Sequence, residues 1–410
     1  MEEYQLHTLP NGIRIVHKQV NHTKIMHCGI MFDVGSRDEG PDQQGIAHFW
    51  EHMAFKGTKK RNAFHIINSL ESVGGELNAY TTKEKICFYA SVLGTHFDKA
   101  VDLICDIAFS STFPTKQIEK ERGVILEEMA MYYDSPEDAI QDDFDEVIFA
   151  DHQLGRNILG NAESVKSFKQ EDFHQFVKEN LNSEQIIFSS VGNLPMKKVV
   201  KLAEKYLKDI PTFKASHLRT SFQGYTPKKQ ETRRTLTQAQ CAIGSTAYPL
   251  VDERRLPFFM LLNILGGPGM NSRLNLSLRE KYGLVYSVDA SYSPYTDTGS
   301  MAIFFGTEPK QVNRGISLVL KEMKKLREKE LGSMQLHKAK QQLMGQLAMS
   351  EENYNSLMLG MAKSLLDLNK IQSIESIFDQ IKAVKGKDLL EIANEAFREE
   401  RMSVLTFLPE

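Results

Sequence analysis

The chain has 410 residues, 41% hydrophobic and 25% charged, with a net charge of -3. That length exceeds what one hydrophobic core usually fills and implies two domains, while the near balance of charge excludes a nucleic-acid binder working through a basic surface. Cys28, Cys87, Cys105 and Cys241 show no C-x-x-C spacing, which excludes a disulfide framework and a thiolate zinc site and reads as reduced, buried thiols.

The N-terminus, Met1 to His7, starts acidic and runs directly into a strand-like segment, Gly12 to Val16. It lacks the cationic and apolar regions of a signal peptide, and no uninterrupted stretch approaches the roughly 18 apolar residues of a membrane span, so a cytoplasmic protein with no membrane partner is expected. The next element is Gly45-Ile46-Ala47-His48-Phe49-Trp50-Glu51-His52-Met53-Ala54-Phe55, whose apolar spacing predicts a helix. His48, Glu51 and His52 stand at i, i+3 and i+4 and share one face. Two neutral imidazoles one turn apart can hold Zn²⁺ at about 2.0–2.1 Å, and a neighbouring carboxylate that is not a ligand can take a proton from water. The order is the inverse of the H-E-x-x-H motif. On a helix otherwise apolar, such a trio is costly to bury without a partner, and a metal supplies one.

Gly74-Gly75 signals a turn, and Glu76 to Thr81 alternates as a strand; an edge strand beside a metal would bind an extended peptide through main-chain hydrogen bonds. Ser91 to Val101 reads as a strand ending in Gly94-Thr95 that feeds a helix. Catalytic zinc needs a third protein ligand, and the helix predicted over 118–131 offers Glu121 and Glu128, seven residues apart on one stripe. One of them can ligate while the other supports; Glu119 and Glu127 read as a solvated face.

Gly45 to Gly57, Leu77 to Glu84 and Glu121 to Glu128 together resemble the pitrilysin superfamily of inverzincin zinc metallopeptidases, and within it the mitochondrial processing peptidase type and its bacterial relatives. The likeness runs nearly end to end. It implies that His48, His52 and Glu128 bind one Zn²⁺ per chain, that Glu51 is the general base, that Glu121 supports the site without ligating, and that Asn78 and Ala79 bind the peptide. The implied activity is zinc-dependent endopeptidase hydrolysis of peptides or unfolded precursor segments in an enclosed chamber. Core proteins of the respiratory cytochrome bc₁ complex share this architecture without the metal ligands, so a catalytically inactive structural or assembly subunit is the alternative. Here every implied ligand is present.

Downstream, Glu127 to Asp151 carries Asp134, Glu137, Asp138, Asp142, Asp143, Asp145 and Glu146, with no Lys or Arg between Arg122 and Arg156. An acidic tract that begins at the metal helix would favour basic peptides. Residues 211–234 are polar, basic and without periodicity, which places an N-terminal zinc-binding domain over 1–215, a linker over 216–232 and a C-terminal domain over 233–410. The second domain echoes the first. Aligning Gly57 with Gly267 sets Phe258, Leu261 and Leu262 opposite His48, Glu51 and His52; Ile303 to Val312 echoes Ser91 to Val101, and Gln346 stands opposite Glu128. The second half therefore keeps the frame without the metal chemistry. Gly266 to Arg273 lacks the Lys-Ser or Lys-Thr of a phosphate loop and reads as a helix-to-helix connection.

Arg279 and Tyr286 match the family's Arg and Tyr pair; the resemblance implies that Tyr286 stabilises the scissile carbonyl as it becomes an oxyanion and that Arg279 holds the substrate or the tyrosine. Long helices over 311–329 and 336–349 complete an α+β fold of two homologous domains, with helices on one face of a largely antiparallel sheet. Superfamily members build their chamber from four such repeats. Two in one chain form half of a peptide chamber and imply a homodimer, or a heterodimer with a homologous subunit, in which Arg279 and Tyr286 act in trans.

Overall fold

The computed structural model describes residues 4–215 and 219–410. The chain begins with β1 (Gln5–Thr8), β2 (Arg14–Gln19), β3 (Ile25–Phe32), α1 (Ile46–Ala54), α2 (Ala63–Glu71), β4 (Glu76–Thr81) and β5 (Ile86–Leu93). It continues through α3 (Phe97–Phe109), α4 (Thr115–Asp134), α5 (Pro136–Ile148), α6 (Ala162–Ser167), α7 (Gln170–Asn180), β6 (Ile186–Gly192) and α8 (Met196–Leu207). The later part runs β7 (Lys229–Arg234), β8 (Ala239–Ala247), α9 (Arg255–Gly266), a π-helix (Asn275–Lys281), β9 (Val288–Pro294) and β10 (Gly299–Thr307). It ends with α10 (Val312–Glu328), α11 (Ser333–Glu351), α12 (Tyr354–Leu368), α13 (Ile374–Ala383), α14 (Gly386–Ala396) and β11 (Ser403–Pro409).

A six-stranded sheet of order β1-β2-β6-β3-β5-β4 and a five-stranded sheet of order β7-β11-β8-β10-β9 organise the described residues. β2 pairs parallel with β6 and β7 parallel with β11, and the remaining neighbours are antiparallel. Omitting β1, the two sheets have the same strand order and the same single parallel pair, which is the duplication the sequence echoes imply. The expected α+β fold of two homologous domains is the one observed.

Two compact units hold these sheets. One comprises Met1–Met129, Arg156–Thr220 and Met349–Gln372; the other Ala130–Gly155, Ser221–Ala348 and Ser373–Glu410. Each unit thus takes one helix from the opposite half of the sequence. In the first, Cys28, Ile30, Phe32 and Phe88 face α1 and α3, while Met31, Cys87, Ile187 and Val191 on the reverse face meet Met358, Met361 and Leu365 of α12. In the second, Ala242, Ala302, Leu405 and Phe407 meet Ile140, Phe144, Val147 and Ile148 of α5.

The expectation of helices on one sheet face is therefore corrected. Runs such as Ile30-Met31-Phe32 and Ile86-Cys87-Phe88 are apolar at consecutive positions, so both strand faces must leave water. A second difference concerns 216–232: residues 216–218 lie outside the described residues, and β7 begins at Lys229, inside the segment expected as linker. Its sequence, KQETRR, has no apolar alternation because the strand is a mostly exposed edge held by backbone pairing to β11. The four cysteines are buried and unpaired. No helix among the described residues is long and apolar enough to cross a membrane.

Candidate metal centre

Helix α1 is fixed before any metal is considered. Gly45 enters it at φ 93°, where an added Cβ would collide with the Leu159 carbonyl, so the tight entry requires glycine. The fully buried Glu39 carboxylate accepts hydrogen bonds from Gly45 N and Ala47 N, both at 2.9 Å, satisfying amides that a helix start leaves open. Phe49, Trp50 and Met53 are buried in the core, where the Trp50 ring lies 5.5 Å from Phe32 and 6.0 Å from Phe88. His48, Glu51 and His52 then have α4 and β4 as neighbours.

Glu128 of α4 completes the group. Its Oε1 lies 3.8 Å from His48 Nε2 and its Oε2 lies 3.4 Å from His52 Nε2. One ligand atom from each of the three residues falls within 4.8 Å of the others. Zinc bonds of about 2.0–2.2 Å in tetrahedral geometry put donors about 3.3–3.5 Å apart, a spacing that the nitrogen–oxygen distances of 3.4 and 3.8 Å approach. Burial and the adjacent His52 push the His48 imidazole down to about 3, keeping it in the neutral form that binds metal.

The remaining carboxylates have distinct partners. His52 Nδ1 lies 3.0 Å from Glu121 Oε1. Although burial opposes it, hydrogen bonds from His52 and Lys56 hold the Glu121 carboxyl below its usual range, so Glu121 accepts and His52 carries its proton on Nδ1. The Nε2 lone pair is then free toward Glu128, the ligand-orienting pattern of metal-site histidines. Glu51 Oε2 accepts a 2.6 Å hydrogen bond from Thr81 Oγ1 at the end of β4. Burial lifts the Glu51 carboxyl above the ordinary range despite that bond, toward the range in which a carboxylate can exchange protons near neutral pH.

The structure thus brings together His48, Glu51, His52, Glu121 and Glu128. β4 packs against α1 and is the edge of its sheet, with Asn78 exposed and Ala79 half-buried. Arg279 and Tyr286 belong to the other compact unit. There the Arg279 guanidinium lies 5.7 Å from the centre of the Tyr286 ring, and Tyr286 is 86% exposed. Sequence reasoning assigned no role to Thr81, Lys56 or Glu39. Thr81 was visible only as the last residue of a strand, and Glu39 only as an acid ahead of a helix start.

Residues 14–162 match the family described as insulinase (peptidase family M16), and residues 167–343 match the peptidase M16 inactive domain. The uncharacterized zinc protease YmxG of Bacillus subtilis is 32% identical over 96% of this chain and 96% of its own length. The chain belongs to peptidase family M16, the pitrilysin family. Two further M16 relatives are uncharacterized zinc proteases: one of Streptomyces coelicolor, 33% identical over 97% of this chain and 88% of its own, and one of Rickettsia bellii, 33% identical over 97% and 95%. The M16 fold is matched by a protease from Helicobacter pylori, with a TM-score of 0.91 and 21% identity over 99% of both chains. A peptidase M16 inactive domain from Pseudomonas fluorescens matches with a TM-score of 0.91 and 16% identity over 99% of this chain and 98% of its own. Within the segment matching the M16 inactive domain, α9 buries Phe258, Leu261 and Leu262, the apolar counterparts of the α1 trio.

Proposed function

We propose that the chain is a zinc-dependent endopeptidase hydrolysing peptides or unfolded precursor segments, with His48, His52 and Glu128 as the ligands of one Zn²⁺. The convergence of two imidazoles and a carboxylate beside the separately held Glu51 carries this reading. Membership of M16 and relatives named zinc proteases support it. Zinc, when bound, supplies a Lewis acid that brings the acidity of water near neutral pH. Glu51, positioned by Thr81, takes the proton released as water attacks the peptide carbonyl and passes a proton to the departing amine. The free edge of β4 at Asn78 and Ala79 receives the extended substrate by strand addition, and basic residues flanking the scissile bond are favoured.

Two such chains, identical or homologous, would close the substrate chamber, with Arg279 and Tyr286 of one reaching the reacting carbonyl held by the other. The test is zinc content and peptide hydrolysis of the purified single chain. Glu51→Gln is expected to lower turnover at least 1,000-fold, a ~4 kcal/mol loss, at unchanged zinc content, and His52→Ala to lose zinc and activity together. Full activity in either variant overturns the assignment.

A further inference from the structure

We propose that Lys56 is a positioning residue for the metal centre, acting through Glu121 on His52; the inference rests on the zinc reading above. Lys56 lies just past α1, where its N–H donates to Met53 O at 3.1 Å, so its backbone continues the last turn of the helix that carries His52. Its Nζ lies 2.7 Å from Glu121 Oε2, while Glu121 Oε1 is taken by His52 Nδ1 at 3.0 Å. His52 and Lys56 are four residues apart and grip one carboxylate from the same side.

Both oxygens of Glu121 are thereby committed, and the carboxylate cannot rotate without breaking a charge-assisted hydrogen bond. The Glu121 side chain is 7% exposed and that of Lys56 26%, so their attraction is screened less than that of a surface pair. The clamp has two consequences for the metal. It holds the His52 ring with Nε2 toward Glu128, and it pins α4 against α1 at a point two helical turns before the third ligand. His48 has no equivalent: its Nδ1 is buried with no hydrogen-bond partner among the described residues. One imidazole is oriented by the chain Lys56, Glu121, His52, and the other by packing alone.

The experiment measures zinc dissociation constants of the full-length protein by competition with a chromophoric chelator. The variants are Lys56→Met, Lys56→Arg, Glu121→Gln and the combination of Lys56→Met with Glu121→Gln, with the melting temperature of each metal-free protein as control. Removing a group that orients a ligand weakens metal by about 10- to 100-fold; Lys56→Met is expected near the lower figure, and Lys56→Arg to recover most of it. The combined variant should bind zinc no more weakly than Glu121→Gln alone, because the effect travels through that carboxylate. Wild-type affinity in Lys56→Met, fully multiplicative losses in the combined variant, or a fall in metal-free melting temperature with unchanged zinc affinity each overturn the proposal. A wild-type chain that takes up no zinc overturns the peptidase reading and this relay with it, whereas zinc uptake by wild type with an unaltered Lys56→Met constant overturns the relay alone.

Discussion

His48 and His52 are neighbours on one helix, with ring centres 4.5 Å apart, and burial keeps the His48 imidazole neutral. Burial also favours the neutral form of a third histidine, His17. It is wholly buried on β2, with Nδ1 2.9 Å from Ser190 Oγ and Nε2 2.7 Å from Leu194 O. Burial holds its pKa below the ordinary value, against the raising effect of the backbone hydrogen bonds. The unfolded chain, with His17 near 6.5, therefore binds more protons than the folded one between the two values. This contribution is complete above pH ~6.5 and is lost as pH falls toward the folded pKa, at about 1.4 kcal/mol per unit of depression. Melting temperatures of the metal-free protein between pH 7.5 and 5 should fall less steeply for His17→Gln than for wild type; equal slopes would refute the assignment. At this scale the ligand pattern was legible because helical spacing alone puts His48, Glu51 and His52 on one face. Lys56 was not, since a lysine after a helix is indistinguishable from a solvated one until Glu121 is seen beside it.

Among the elements, α1 and α4 could be read from apolar periodicity and β4 from alternation after Gly74-Gly75. α5 could not be read so directly, because its acidic residues dominate the pattern and hide the buried stripe of Ala139, Ile140, Phe144, Val147 and Ile148. The charges of the acidic tract from Glu127 onward are also unequal in availability. Asp143 accepts a 2.5 Å hydrogen bond from Arg234, whereas Glu127, Asp134 and Glu137 are exposed on α4 and the start of α5. Under the proposed preference for basic peptides, the exposed acids of this tract are the ones expected to act. Matched peptides with Lys or Glu flanking the scissile bond should differ at least fivefold in kcat/KM, about 1 kcal/mol, in favour of Lys. The preference should shrink in 0.5 M salt as screening increases, and equal rates at low salt would remove the idea.

For the molecule as a whole, the repeat was legible in Gly94 and Gly306 and in Phe258, Leu261, Leu262 and Gln346, which stand opposite His48, Glu51, His52 and Glu128, because a strand that ends in glycine and feeds a helix keeps its spacing when its chemistry is gone. The proposed dimer makes a strong prediction. A Glu51→Gln chain retains Arg279 and Tyr286, and a Tyr286→Phe chain retains the metal group and base. Mixed after subunit exchange, the two inactive proteins should recover up to about a quarter of wild-type activity per total site, the statistical yield of one competent site in half of the dimers. No recovery in a mixture shown by mass to contain mixed dimers would refute action across subunits.

The traded helices α5 and α12 constrain how this protein can be born and how it can be cut. A nascent chain cannot cover Met31, Cys87, Ile187 and Val191 until residues 349–372 have left the ribosome, so the unit that holds His48, His52 and Glu128 reaches its final packing only near the end of synthesis. Severing the gene between α8 and β7 would give two fragments, each carrying its partner's missing helix and exposing an apolar sheet of its own. Such fragments are built to complement one another rather than to stand alone.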